Sequence, residues 1–280
     1  MSGRGRQLRQ IAVTGLGFVC AVAAMRADTQ AQGRGGGTAA ASQSARAAAP
    51  IDLTGYWVAV ITEDWRWRMV APAKGDYASI PLTVDGKRVA DTWDPGKDEA
   101  AGEQCRSYGA PGLMRAPTLL HITWQDDNTL KLETDYGIQT RMFHFGAARS
   151  AATPSWQGLS AAEWVMPAGA RGQGQGGAQA QGGGQAQGEG AAPPRFGTMK
   201  SVTTRLRPGY LRKNGVPYST NTVFTEYWAV HLEENGDQWL VVTNAVTDPV
   251  NLQIPWITSL HFKKERDGSK WDPTPCSARF

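Results

Sequence analysis

Residues 118–145 read TLLHITWQDDNTLKLETDYGIQTRMFHF, three β-favouring runs set apart by two polar turns. The runs are Thr118–Trp124, Thr129–Thr134 and Gln139–Phe145, short and rich in Thr, Ile, Leu and aromatic residues. Asp126-Asp127-Asn128 and Asp135-Tyr136-Gly137 supply the turn chemistry between them. Together they predict a meander. Downstream the pattern repeats in Ser201–Arg207, Thr222–Leu232, Gln238–Val246 and Trp256–Lys264. Glu233-Glu234-Asn235-Gly236-Asp237 is a hairpin turn whose strongest signal is Asn-Gly. Upstream, Asp64–Val70 alternates as a strand does, with Trp65, Trp67 and Met69 on one face and Asp64, Arg66 and Arg68 on the other. No window of a dozen residues carries a helical stripe. Eight or more short strands at hairpin spacing predict an all-β fold. The expected form is a single antiparallel β-barrel, with a β-sandwich as the alternative.

The flanks read differently. Arg4, Arg6 and Arg9 precede an apolar run from Ile11 to Met25, too short to span a bilayer and followed by small residues. Residues 1–27 are therefore read as a secretory signal, with an uncleaved anchor as the alternative, and the mature chain as periplasmic or extracellular. Gly17-Phe18-Val19 lacks the small residue that lipidation at Cys20 would want. The whole chain has a net charge of +4, and residues 1–27 hold four arginines and no acid, so the mature part is neutral. The basic balance thus belongs to the signal, which argues against nucleic acid as a partner. No later segment is apolar for long enough to cross a membrane.

Residues 28–50 are mostly Gly, Ala, Gln and Ser and read as a disordered tether ahead of a β domain at 51–280. Within 168–192, 23 of 25 residues are Gly, Gln or Ala. That composition predicts a disordered surface-loop insertion at about 166–194, cheap to lengthen because closure entropy grows only logarithmically. Cys105 and Cys276 remain after the signal is removed, and an oxidising compartment favours a disulfide that staples the tail to the body. A loop that long contributes about 5 kcal/mol in the chain-entropy account. Two separate thiols are the alternative.

Asp52-Leu53-Thr54-Gly55-Tyr56-Trp57 opens the domain with Gly-x-Trp, as the first strand of lipocalin-like barrels does. With it stand Cys105-Arg106-Ser107-Tyr108-Gly109 leading to Arg115, Thr140-Arg141-Met142-Phe143, Thr225-Glu226-Tyr227-Trp228, and Asp248-Pro249 followed by Pro255-Trp256. In these pieces and their order the chain resembles a large family of secreted bacterial proteins. The resemblance implies a lipocalin-like barrel and brings no activity with it. The chain departs from that pattern where the Gly/Gln/Ala stretch stands, keeping only Trp156 and Glu163-Trp164 of an expected strand.

Gly-x-Ser-x-Gly, His-Glu-x-x-His, the Walker loop and the dinucleotide glycine pattern are all missing, so no cofactor or reaction class has a sequence handle. No metal site is expected either, since none of His121, His144, His231 and His261 lies in a local ligand motif. Trp65 and Trp67 are candidates to line a ligand cavity, against the plainer reading of an ordinary core. Glu226 shares a strand face with Phe224 and Trp228, and Arg141, on a face with Phe143, is its candidate partner. The pair is either a ligand anchor or a buried ion pair that fixes register. Glu226 with His121 or His144 would make an acid/base pair if the faces converged.

Three functions follow. The first is a small-molecule binding protein for a largely apolar, acidic ligand held by Trp65, Trp67, Arg141 and Glu226. The second is a barrel-lumen enzyme of the hydrolase, hydratase or isomerase kind. The third is an envelope assembly module without a small ligand. An apolar pocket with one polar group favours the first, convergent ionisable groups the second, and a filled interior the third.

Overall fold

The computed structural model describes residues 43–146, 153–166 and 196–279. The signal at 1–27 and the insertion at about 166–194 fall almost wholly outside the described residues, as does Cys20. Nine strands close into a barrel: β1 (Gly55–Val60), β2 (Leu119–Asp126), β3 (Thr129–Thr134), β5 (Gln139–Phe145), β6 (Leu159–Val165), β7 (Thr198–Thr204), β10 (Val223–Leu232), β11 (Gln238–Thr247) and β12 (Trp256–Glu265). Two small ribbons lie beside it, β4 (Tyr136–Gly137) with β13 (Thr274–Pro275), and β8 (Gly209–Arg212) with β9 (Val216–Tyr218). The strand order is β1-β12-β11-β10-β7-β6-β5-β3-β2, returning to β1.

Every junction of the barrel is antiparallel except β5–β6, which is parallel. Parity requires one such junction. Nine strands cannot alternate direction all the way round a closed ring. The crossover between Phe145 and Leu159 has the dozen or so residues that a parallel neighbour needs.

The period-two pattern sorts side chains as it should. Leu120, Ile122, Leu132, Phe143, Trp228 and Phe262 meet in one core with Trp57, the aromatic residue of Gly-x-Trp. Trp57 Nε1 donates to Leu53 O at 2.9 Å, which satisfies the buried indole. Trp57, Leu132, Phe143, Met199 and Trp228 have 0 % exposure, so no void the size of a water touches them. The barrel is plugged by its own side chains.

Residues 61–118 differ from the sequence reading. Asp64–Val70 is not a strand: Trp65–Arg68 forms a single helical turn, α1, with Trp65 at 63 % and Met69 at 56 % exposure. Alternation over seven residues could not tell a strand from a turn that leaves two apolar residues in solvent. Helix α2 (Val84–Asp91) starts on Thr83, whose hydroxyl accepts from Gly86 N at 2.9 Å. Helix α3 (Pro95–Ala100) starts on Asp94, with Pro95 in its first turn. Both are shorter than a dozen residues, which is why no stripe marks them. A 3₁₀ turn (Arg106–Tyr108) and α4 (Ala110–Leu113) lead into β2.

With the β8–β9 hairpin these elements form a cap. A second core joins Tyr77, Ile80, Leu211, Val216 and Tyr218 of the cap to Phe224, Val246 and Trp256 near the ends of β10, β11 and β12. Cys105 and Cys276 form the disulfide, tying the chain tail to the cap across a sequence separation of 171. Beside it Gly137 takes φ +82°, and a Cβ there would lie 2.2 Å from the Tyr108 ring. Glycine thus lets Tyr108 pack against the β4–β13 ribbon. Residues 43–50 reach the opposite barrel end, where Arg46 N donates to Asp127 O at 3.0 Å and Trp164 Nε1 to Ala45 O at 2.8 Å.

Candidate functional site

Strand faces decide first where the sequence candidates lie. Glu226 on β10 and Arg141 on β5 both point into the barrel, and both side chains are fully buried. Arg141 Nη1 donates to Glu226 Oε1 at 3.0 Å and Nη2 to Oε2 at 2.6 Å, a bidentate pair. Ser201 Oγ adds a bond to Oε2 at 3.0 Å, and Thr203 Oγ1 accepts from Arg141 Nη2 at 3.4 Å. Phe143 and Phe224 flank the guanidinium at 4.8 and 5.6 Å. One carboxylate thus answers one guanidinium inside a packed core.

The histidines lie on the other side of the wall. His121 alternates with the inward Leu120 and Ile122, and stacks outside on Tyr56 at 4.2 Å. His144 alternates with the inward Arg141 and Phe143 in the same way, so neither imidazole meets Glu226. His261 Nδ1 lies 3.0 Å from Glu63 Oε2, and His231 is exposed at the end of β10. Among the described residues no three His, Cys, Asp or Glu side chains gather closely enough to hold a metal.

Charge collects instead in the cap. Arg68 of α1, Arg115 after α4, and Arg212 of β8 are each at most 5 % exposed and line one cavity of about 20 Å³, together with Trp67, Tyr108, Tyr136 and Lys213. Their positions come from backbone and aromatic contacts more than from acids. Arg68 Nε donates to Arg115 O at 2.9 Å, and its Nη1 to Glu63 Oε1. Arg115 Nη2 donates to Asp64 Oδ2 at 2.8 Å. Arg212 donates to Ala78 O at 2.8 Å and to Ser79 Oγ at 2.9 Å.

Two indoles separate the cations. Arg66 and Arg212 lie 5.7 and 4.9 Å from the Trp67 ring, and Arg212 and Arg115 lie 5.8 and 4.8 Å from the Trp256 ring. The order is Arg66, Trp67, Arg212, Trp256, Arg115. Ring faces stabilise guanidinium charge without consuming in-plane N–H groups. Those N–H groups are left over. Arg68 Nη2, Arg115 Nη1 and Arg212 Nε are buried and have no hydrogen-bond partner among the described residues.

Arg68 pairs with Glu63, which His261 shares, and Arg115 with Asp64, while Arg212 feels Asp64 and Asp76 only through charge. Asp76 is held by Trp67 Nε1 at 3.0 Å and by Arg66 at 3.6 Å. Burial, helped by the Arg115 charge, pushes Arg68 and Arg212 down to about 10, so both stay charged at neutral pH. Burial pushes the Glu63 carboxyl up, but the His261 bond and the Arg68 charge outweigh it and hold it below the usual range. The cavity is thus lined by more cationic than anionic side chains.

The sequence candidates divide accordingly. Arg141 and Glu226 meet but close on each other. Trp65 is a surface residue, and Trp67 lines the cap cavity instead of the barrel lumen. Arg68, Arg115 and Arg212 were not singled out, although the run from Cys105 to Arg115 lies beside the cavity. Asn214-Gly215, a turn signal that would have marked the β8–β9 hairpin, was also available. Comparison with protein-family models, with curated proteins and with solved structures gives no match for this chain.

Proposed function

We propose that the protein is an exported, lipocalin-like binding protein that holds a small anionic ligand, a carboxylate above all, in the arginine-lined cavity of its cap. One observation carries the reading: three guanidiniums line a single cavity, and each keeps a covered N–H with no partner among the described residues, which a side-chain shift would turn to an anion there. Leaving a buried donor unpaired costs about 1–3 kcal/mol, more when it is charged. A carboxylate or similar oxyanion would satisfy those donors and supply the negative charge that Glu63 and Asp64 do not complete. The cavity, about 20 Å³, admits an anionic head and the atom beside it, so the rest of the ligand stays outside.

The plugged barrel supports a second reading, the assembly module, with exposed Trp65, Met69 and Val70 as contact surface. One experiment separates the two. Native mass spectrometry of the purified protein, followed by thermal unfolding with acetate, benzoate and phosphate, should find a co-purifying anion or an anion-dependent rise in unfolding temperature. That rise should vanish in Arg115→Met. If no anion shifts unfolding and none co-purifies, the binding reading falls and the assembly reading gains.

A further inference from the structure

Lys213 shares the cavity with Arg68, Arg115 and Arg212 but differs from them in kind. A guanidinium does not lose its proton in proteins, whereas an amine does so readily and then becomes a nucleophile. Nζ of Lys213 donates to Tyr136 Oη and sits 4.2 Å from the centre of that ring, which fixes it on the cavity wall. The other ionisable groups around the cavity are the three arginines, Tyr108 and Tyr136. Burial raises the Tyr136 phenol, which therefore keeps its proton, and lowers the Lys213 ammonium to about 8.

Volume then narrows the ligand. A cavity of about 20 Å³ cannot hold a carboxylate and a distant reactive group together. Whatever meets both the guanidiniums and the amine must carry its electrophile next to its carboxylate. Resting on the reading of the cavity as an anion site, we infer that the ligands are 2-oxo acids and that Lys213 Nζ condenses with their carbonyl carbon. The nitrogen lone pair forms the C–N bond, the carbonyl C–O bond breaks, and water leaves with the two amine hydrogens. The product is an imine, reversible and redox-neutral. The arginines hold the adjacent carboxylate throughout.

The test uses the full chain with pyruvate, and with propionate as the matching acid that lacks a carbonyl, each with sodium cyanoborohydride as the trapping reductant. Peptide mass mapping should find one reduced adduct, on Lys213, formed on the order of a hundredfold faster than on exposed Lys87 or Lys97. Lys213→Arg should lose the adduct yet keep the rise in unfolding temperature that propionate gives. If both acids stabilise the protein and no adduct forms, the imine is wrong and the anion site stands. An adduct spread over exposed lysines overturns the imine as well. If neither acid stabilises and nothing is trapped, both readings fall together.

Discussion

The barrel interior and the cap each bury arginine, and they treat it differently. Inside the barrel Arg141 faces Glu226 through two bonds, with Ser201 completing the carboxylate's shell. In the cap, indole rings space Arg66, Arg212 and Arg115, Arg68 and Arg115 pair with Glu63 and Asp64, and Arg68, Arg115 and Arg212 each keep a donor without a partner among the described residues. Arg141 also keeps one buried donor, Nε, without a partner among the described residues, but the side chains packed round the pair leave no room for a guest. The cap cluster lies beside a cavity, and on the proposed reading an anion completes it. Burial of charge is thus no guide to function by itself. What separates the two regions is the cavity that the cap arginines line and Arg141 does not.

The comparison breaks most easily at the barrel pair. Glu226→Gln leaves Arg141 charged and unanswered in the core, and should cost about 3–5 kcal/mol in urea unfolding. Glu226→Leu combined with Arg141→Met should recover most of that loss, since replacing both partners of a buried pair is often nearly neutral. If Glu226→Gln instead folds with unchanged stability and loses a ligand, the pair is a binding site and the contrast with the cap collapses.

The disulfide tests whether the two regions are energetically distinct. Cys276→Ser should cost about 2–4 kcal/mol. The loss should fall on the cap, because the tail strand pairs with Tyr136–Gly137 at the cavity wall. Hydrogen exchange should then speed up at those amides before it does at β10 and β11. Equal acceleration throughout would mean that cap and barrel unfold as one unit.

A ligand effect comes next in size. An anion at a hundredfold excess over its dissociation constant should stabilise the protein by about 2.7 kcal/mol. Arg115→Met should abolish that gain, whereas its own cost in stability should stay below that of Glu226→Gln. Its guanidinium belongs to a cluster with cations to spare. A cost equal to that of Glu226→Gln would show that the cap arginines are as structurally committed as Arg141.

Much of the barrel was legible because period two needs only local alternation. Thr129–Thr134 and Gln139–Phe145 are strands with the expected bounds, and Phe224, Glu226 and Trp228 share an interior face as their spacing requires. The Cys105–Cys276 bond is the staple that the cysteine count predicts. The cap was largely illegible. Its helices are one or two turns long, and the cavity draws residues from positions 67, 115, 136 and 212, which only tertiary packing brings together. Asp64–Val70 misled for a related reason. There Trp67 and Arg66 join a stack of rings and guanidiniums, Arg68 is buried beside Arg115, and Trp65 stays in solvent. The Arg141–Glu226 contact was readable because each residue stood out as an ion on an apolar strand face. No comparable contrast marks Arg212 on the hairpin.

The smallest predicted effect separates cap from barrel by pH alone. The Lys213 ammonium is lowered to about 8 in the folded protein, against about 10.4 for an unperturbed lysine. Between those values the unfolded chain holds a proton that the folded chain has lost, so stability rises with pH across that window. Below about pH 8 both states are protonated and the full penalty of burying the charge is felt; above about 10.4 both are neutral and none remains. Allowing for partial exposure of the side chain, the rise should be about 1–2 kcal/mol. Tyr77, raised to about 12 by burial and its Asp91 partner, pulls the other way at the alkaline end. The informative quantity is therefore the difference between wild type and Lys213→Met, measured by urea unfolding across the window. That difference should shrink as the pH rises in the cap variant, and should stay flat for the Arg141→Met, Glu226→Leu double variant, which leaves Lys213 and the cavity lining unchanged. A flat line for both would place Lys213 in solvent, outside the buried cluster to which the cavity assigns it.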